Sequence, residues 1–117
     1  MKKVQKEVTL TLEYFQNKAD KTSGIYEGGV VDPNIEGLII DVTNGESFDF
    51  EANEFVSNGK YEIHLSGNRE AIKELGKYLI ALADYETEDP NYHDHFDIVR
   101  NSNGKEIVDF VIYKPKE

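Results

Sequence analysis

Three Asn-Gly dipeptides, each next to alternating runs of apolar and polar residues, constrain the fold of this chain more than any other feature. They stand at positions 44–45, 58–59 and 103–104. Asn-Gly is the preferred pair of a two-residue hairpin turn, because both central residues of a type I′ turn have positive φ. The runs beside these turns are predicted strands, at 35–42, 46–52, 61–65, 96–100 and 106–113. We therefore expect a mostly antiparallel meander.

The first residues alternate in the same way. From Val4 to Tyr14 the even positions are apolar except for Lys6, and the odd positions are polar. This period of two predicts a half-buried strand. The segment that follows, 16–34, contains several glycines and a proline and has no clear period. Such a long segment is a functional loop, a disordered stretch or the site of a short strand, and its pattern leaves all three open.

One helix is predicted from Asn68 to Asp84. The Asn68 side chain can accept a hydrogen bond from a free N–H of the first turn. Apolar residues recur at helical spacing and form one face. That face comprises Ile72, Leu75, Gly76, Leu79, Leu82 and Ala83. We expect it to lie on the sheet, with Gly76 allowing a strand to come close.

The predicted fold is therefore α+β. One long helix packs on one face of a mostly antiparallel meander sheet of five or six strands. At 117 residues the chain is long enough for one hydrophobic core, so we expect a single domain over residues 1–117.

The formal net charge of −10 is concentrated in two stretches that contain no Lys or Arg. Residues 22–59 carry eight carboxylates, and residues 78–99 carry six. Such a field repels nucleic acid and anionic membranes and attracts cationic partners. An excess of acid also keeps a small protein soluble, so charge alone leaves both explanations open.

Composition also bears on the compartment. The chain has no cysteine, which excludes disulfides, thiolate metal sites and cysteine nucleophiles. Its start lacks the apolar run of a secretory signal, and the longest apolar run, 78–83, is far shorter than the roughly 20 residues that span a bilayer. We expect a cytoplasmic protein that binds neither membrane nor nucleic acid.

The run His93-Asp-His95-Phe-Asp97 is the sharpest candidate site. In an extended strand these two histidines and Asp97 point to one face, and His64 could join them if its strand is a neighbour. Imidazoles and a carboxylate can hold zinc, and one histidine can act as a general base. A hydrogen-bonded surface cluster, structural or facing a partner, is the other interpretation. No metal ligand or catalytic residue is assigned.

An acidic loop joins the helix to this run. Negative charge at a helix C-terminus opposes the helix dipole. Such an unfavourable choice is typical of a functional surface, and a solvated acidic turn is the commoner alternative. Tyr85 and Tyr92 either anchor a partner or cover the edge of the core. The predicted partner-binding residues are Asp84, Tyr85, Glu86, Glu88, Asp89, Tyr92, His93, His95 and Asp97.

Residues 61–113 resemble immunity protein family 32 of bacterial polymorphic toxin systems. The resemblance is carried by the strand at Tyr61, the helix entry at Gly67-Asn68, the Leu- and Ala-rich helix 75–83, the run 93–97 and the strand 107–112. It implies a small cytoplasmic protein that binds and neutralises a cognate toxin and has no catalytic activity. Toxins of this class are often basic nucleases, which fits an acidic chain.

The sequence therefore predicts an immunity protein that occludes a cognate toxin, expected to be basic, through its acidic surface and without a cofactor. The alternative is a small metal-binding or metal-dependent enzyme domain that uses His93, His95 and Asp97, with His64 as a further candidate. The oligomeric state is left open.

Overall fold

The computed structural model describes residues 1–20 and 22–116, in which six strands and one helix are assigned. Their bounds are β1 Tyr14–Asp20, β2 Ile25–Val30, β3 Leu38–Asp49, β4 Glu54–Gly67, α1 Arg69–Asp84, β5 His93–Phe96 and β6 Phe110–Tyr113. The strands form three antiparallel pairs, β1–β2, β3–β4 and β5–β6. The α+β class and the antiparallel pairing are confirmed, but the single meander sheet is wrong.

The pairs remain separate because few backbone groups join them. The β3–β4 hairpin meets the C-terminal part of the chain at one parallel bridge, between Ile39 and Arg100. There the Ile40 N–H donates to the Arg100 carbonyl over 3.0 Å. Nearby, Asp41 accepts from the backbone and hydroxyl of Ser102, at 2.9 and 3.0 Å. Beyond this point the hairpin continues without a third strand.

The core lies where the helix meets the bases of the hairpins. Its buried residues come from β2, the start of β3, α1 and the segment around β5; they are Val30, Ile35, Leu38, Ile40, Ala71, Leu75, Tyr78, Ala81, Leu82, Tyr85, Phe96 and Val99. The described part of the chain contains no helix with the length and apolar character needed to cross a membrane.

The predicted helix is confirmed, with a different buried face. Asn68 is its N-cap, and the Asn68 side chain accepts from the Ala71 N–H at 2.8 Å. The buried helical residues are Ala71, Leu75, Tyr78, Ala81 and Leu82. Ile72 and Leu79 are exposed, and a Cβ on Gly76 would meet nothing within 4 Å. The expected strand contact at Gly76 is therefore wrong. The helix buries the face that carries Tyr78 and not the face that carries Leu79, so Gly76 does not face a strand.

The start of the chain departs most from expectation. The first strand begins at Tyr14, and residues 4–13 have no assigned secondary structure, so the predicted half-buried strand at 4–14 is wrong. The alternation is present, but none of the strands assigned within the described residues lies beside it. The 16–34 segment instead contains most of the β1–β2 hairpin. Of the three possibilities for this segment, the hidden strand is confirmed.

Two of the three predicted Asn-Gly turns lie inside strands. Asn44 pairs with Tyr61 and Glu46 pairs with Ser57, so Gly45 alone faces residues 58–60. The two Asn-Gly pairs meet at this bulge, where Gly59 has φ 74°. A Cβ on Gly45 would lie only 2.8 Å from the Lys60 carbonyl oxygen. Gly59 thus supplies the positive φ of a bulge, and Gly45 allows the two strands to approach closely there. Neither glycine forms a hairpin turn.

The hairpin turn itself falls at residues 50–53. Asn53 has φ 54°, a conformation that asparagine tolerates better than most residues. The Asp49 side chain accepts from the N–H groups of Glu51 and Ala52, at 3.0 and 3.3 Å. This aspartate turn replaces the predicted Asn-Gly turn, and it makes β3–β4 one long hairpin in place of two short ones.

A turn forms at the third Asn-Gly pair, but it is not the predicted two-residue hairpin turn, because it spans residues 101–104 within the longer connection between β5 and β6. The Gly104 N–H donates to the Asn101 carbonyl at 2.9 Å, and Gly104 has φ 78°. The predicted strand at 96–100 is wrong, because β5 spans His93–Phe96 and shares only Phe96 with it. The predicted strand at 106–113 is confirmed in its last four residues, which form β6.

Loss of the helix cap tests this account of the fold. Asn68→Ala removes the acceptor of the Ala71 N–H and should lower the free energy of unfolding by about 1 kcal/mol. Asn68→Asp retains an acceptor oxygen and should retain most of the stability. Urea unfolding followed by circular dichroism measures both, and equal midpoints for Asn68→Ala and the parent chain would contradict the cap.

Candidate functional site

Asp94 is the centre of the polar contacts that place the acidic loop and β5. The Tyr78 hydroxyl donates to Asp94 Oδ2 at 2.5 Å. The Tyr92 hydroxyl donates to the same carboxylate, 3.1 Å from each oxygen. The Tyr92 oxygen in turn accepts from the Val30 N–H at 3.0 Å. One side chain therefore ties together the helix, β5 and, through Tyr92, the end of β2.

The same contacts hold two tyrosines in their protonated form. Burial, and then the adjacent Asp94 carboxylate, raise the pKa of Tyr78 well above its ordinary value. Burial raises the pKa of Tyr92 to about 12, with a further increase from Asp94 and an opposing effect of the Val30 N–H. An ionised tyrosine would place a second negative charge beside the Asp94 carboxylate and could not donate a hydrogen bond to it. Both hydroxyls therefore stay protonated and act as donors.

The two tyrosines of the acidic loop serve the core. Tyr85 is 5% exposed, its ring stacks on Tyr14 with a centroid distance of 5.6 Å, and it meets the edge of Tyr92 at 4.8 Å. Tyr92 is half-buried. Of the two roles left open by the sequence, covering the edge of the core is the one that these contacts describe. Tyr85 therefore has no free ring face for a partner.

Asn17 of β1 holds the loop in place. Its side-chain oxygen accepts from the Tyr85 hydroxyl at 2.5 Å, and its side-chain nitrogen donates to the Glu86 carbonyl at 2.7 Å. A side chain far away in sequence thus fixes the backbone where the helix ends. The carboxylates of Asp84 and Glu86 point from this fixed backbone and are exposed.

The remaining predicted acids lie along the rest of the loop. Asp89 is half-buried, and its Oδ1 accepts from the Asn91 N–H at 2.9 Å. Glu88 is exposed and lies with Glu86 and Glu27 along a groove of about 540 Å³ between this loop and the β1–β2 hairpin. Lys18 also lines this groove. Its walls therefore carry three carboxylates and one ammonium group.

His93 and His95 share one face of β5, as the alternation predicted. Their ring centroids are 5.0 Å apart. His93 stacks on Tyr113 at 4.7 Å, and its Nδ1 lies 2.7 Å from the Asn91 carbonyl oxygen. His95 Nδ1 lies 2.8 Å from Oδ2 of Asp109, the residue before β6. These contacts form a hydrogen-bonded surface cluster of the kind that the sequence left as one of two interpretations.

The other residues of that candidate site lie elsewhere. Asp97 is exposed beyond the end of β5. His64 belongs to β4, in a different sheet, and its Nε2 lies 3.1 Å from Glu62 Oε2. The condition under which His64 would join the cluster is therefore not met. Within residues 1–20 and 22–116, no three His, Cys, Asp or Glu side chains are placed to hold a metal ion.

Sequence reasoning missed Asp94, Tyr78 and Asn17. A signal for Asp94 was present, because strand alternation puts it on the same side as the core residue Phe96. A carboxylate aimed at a core requires donors, and a tyrosine on the facing helix is a suitable one. Asn17 has no comparable signal, since its two partners lie 68 and 69 positions away.

Comparison with known proteins gives one match. Residues 62–115 match the family model described as Immunity protein 32, which is a little under half of the 117 residues. Neither a curated protein nor a solved structure matches the chain at a significant level. The resemblance expected from the sequence is confirmed over this part of the chain, and the match supports an immunity-protein family assignment.

The contacts of Tyr92 predict how stability depends on pH. Its folded pKa lies above the unfolded value of about 10, so the stability that it contributes is complete below about pH 10 and is lost as the pH rises through about 12. Tyr92→Phe has no hydroxyl to ionise at this position, so it should lose less stability than the parent chain as the pH rises through about 12. It should also lower the free energy of unfolding at neutral pH by on the order of 1–3 kcal/mol, because the Val30 N–H loses its acceptor.

Ultraviolet absorbance of tyrosinate during alkaline titration, together with urea unfolding, measures both effects. The matched control is Tyr113→Phe, which changes an exposed ring and should leave the alkaline loss of stability unchanged. Normal titration of all seven tyrosines in the folded chain would contradict the contacts described for Tyr78 and Tyr92.

Proposed function

We propose that this chain, whose residues 62–115 match the Immunity protein 32 model, binds a cognate bacterial toxin and neutralises it by occlusion through the acidic loop and β5. The family match is the observation that carries the proposal, because the defining activity of an immunity protein is to block a toxin. The site of action is the cytoplasm of the producing cell.

Charge supports the acidic loop as the contact surface. Residues 78–99 contain six carboxylates and no Lys or Arg, and one of the six, Asp94, is bonded to tyrosines of the core. Asp84, Glu86, Glu88 and Asp97 are exposed. A surface of this kind attracts a basic partner and raises its association rate. The expected partner is therefore a basic toxin.

The rigidity of the loop also supports recognition. Asn17, Tyr85 and Asp94 hold the loop backbone before any partner arrives, so little ordering has to accompany binding. Beside the loop, the groove lined by Glu27, Glu86 and Glu88 has room for a lysine or arginine side chain of the toxin. In this proposal Tyr85 supports the surface from below, and His93 and His95 extend it along β5.

Toxicity provides the direct test of this function. The protein encoded beside this chain should arrest growth when it is expressed alone in a bacterial host, and co-expression of this chain should restore growth. The purified pair should form a complex. Absence of both rescue and binding would refute the assignment to that partner.

Charge reversal locates the surface. Asp84→Lys/Glu86→Lys should weaken toxin binding at least about tenfold, or roughly 1.4 kcal/mol, since two attractive charges become repulsive. A lysine at the helix C-terminus also complements the helix dipole, so the fold should not suffer. Binding is measured by surface plasmon resonance at two salt concentrations.

The matched control is Glu36→Lys/Glu106→Lys, which makes the same change in net charge at exposed positions outside the loop. This control should retain most of the affinity. Equal losses in the two double variants would mean that net charge, and not this surface, determines binding.

Substitution of Asn17 tests the contribution of rigidity. Asn17→Ala removes both hydrogen bonds to the loop and should speed hydrogen exchange at residues 85–89 while lowering toxin affinity several-fold. Asn17→Asp keeps the acceptor for Tyr85 and loses only the donor to Glu86, so its effect should be intermediate. Unchanged exchange in Asn17→Ala would contradict the role given to this residue.

A further inference from the structure

The folded chain exposes far more surface than a monomer of its size normally does. Its accessible surface is 9606 Å², whereas a compact monomer of this mass has about 6,500 Å². Its radius of gyration is 19.0 Å, against about 13 Å for a compact domain of this length. The excess accessible surface of roughly 3,000 Å² is larger than the area that each subunit buries in most stable homodimers.

Much of this excess lies on the β3–β4 hairpin. All fourteen residues of β4 are exposed, and β3 is its only strand partner in the described chain. Tyr61, Ile63 and Leu65 alternate along one face of β4, with Ile63 72% exposed. The hairpin therefore presents an open strand edge beside an apolar stripe, which is the kind of edge that another strand extends.

A segment with the alternating sequence pattern of a strand lies at the start of the same chain. Residues 4–12 carry no assigned secondary structure, and within residues 1–20 and 22–116 no strand pairs with them. Val4, Val8 and Leu10 would share one face of such a strand. All three are exposed, and the exposed fraction of Val8 is 69%. The segment is anchored where it joins the core, because the Val31 N–H donates to the Glu13 carbonyl at 3.2 Å. Nine extended residues reach about 30 Å, which covers most of β4.

The charges of the two elements are complementary. Residues 1–12 carry three lysines and one glutamate, whereas residues 38–67 carry six carboxylates and one lysine. The side-chain charges therefore sum to +2 on residues 1–12, which comes from Lys2 and Lys3 because Lys6 and Glu7 cancel within the pairing segment, and to −5 on the hairpin. Docking of one whole hairpin on another would instead bring together two elements that each carry −5, which repel each other.

We propose that a second copy of this chain covers the hairpin, with residues 4–12 of each copy adding a strand to the free edge of β4 in the other. The exchange places Val4, Val8 and Leu10 beside the apolar stripe of the partner's β4. It satisfies the backbone of the segment and the open edge of the hairpin together. The interface is closed and twofold, because each copy gives one segment and receives one.

The absence of native cysteine makes cross-linking a direct test. Val8→Cys in one copy is mixed, under oxidising conditions, with a second copy that carries a mass tag and a cysteine at Tyr61, Ile63 or Leu65. At least one of the three pairs should give a covalent dimer containing one copy of each kind. The matched control is Thr9→Cys, which lies on the opposite face of the segment and should give at least tenfold less product.

Two results of this experiment would overturn the proposal. Equal yields from Val8→Cys and Thr9→Cys would mean random collision. A chain with cysteines at both Val8 and the best β4 position that forms only an internal disulfide would mean that the segment docks on its own hairpin.

Light scattering provides the second measurement. The parent chain should have about twice the mass of 13.4 kDa, Val8→Glu should shift toward the single-chain mass, and Thr9→Glu should remain dimeric. Val8 is exposed in the single chain, so Val8→Glu should keep the circular dichroism spectrum of a folded chain. A parent chain at the single-chain mass would refute the proposal, whether or not the chain binds a toxin.

Discussion

The Asp94 carboxylate is the interaction on which the arrangement of this chain depends. It accepts hydrogen bonds from Tyr78 of the helix and from Tyr92 at the end of the acidic loop. A carboxylate beside a core is tolerated only when its oxygens have donors, so its position in β5 fixes the distance between β5 and the helix. Tyr92 extends the link to Val30, and the acidic loop is thereby held between two fixed points.

The core that forms around this interaction is small, and its size divides the molecule into two parts. One helix covers the bases of the hairpins and the segment around β5, while the outer part of β3–β4 has no layer above it. A two-stranded hairpin is only marginally stable alone in water. The rigid part of the chain carries the acidic loop proposed to meet the toxin, and the uncovered part carries the edge proposed to meet a second copy.

Local sequence signals predicted local structure and failed where packing decided between alternatives. Asn68 specified the start of the helix because a cap involves only neighbouring residues. Asn-Gly indicated positive φ correctly at Gly59 and Gly104, but a bulge and a turn use the same backbone conformation. The dipeptide alone therefore could not separate one long hairpin from two short ones. The aspartate turn after Asp49 determined where the chain reversed.

The candidate site was predictable to a similar extent. Alternation placed His93 and His95 on one face, but the role of Tyr85 depended on Tyr14 and Asn17, which are remote in sequence. Helical spacing is equally compatible with faces centred on Tyr78 or Leu79. The ring of Tyr78 is the one that reaches Asp94, and that contact selects the face.

Hydrogen exchange of this chain with and without its cognate toxin tests the central claim most directly. The proposed occlusion predicts that the toxin slows exchange at the amides of residues 85–97 and leaves the hairpin tip at 48–55 unchanged. Slower exchange at the tip with an unchanged loop would contradict it, since the toxin would then be bound by the exposed aromatic residues of the hairpin and not by the acidic surface that Asp94 holds in place.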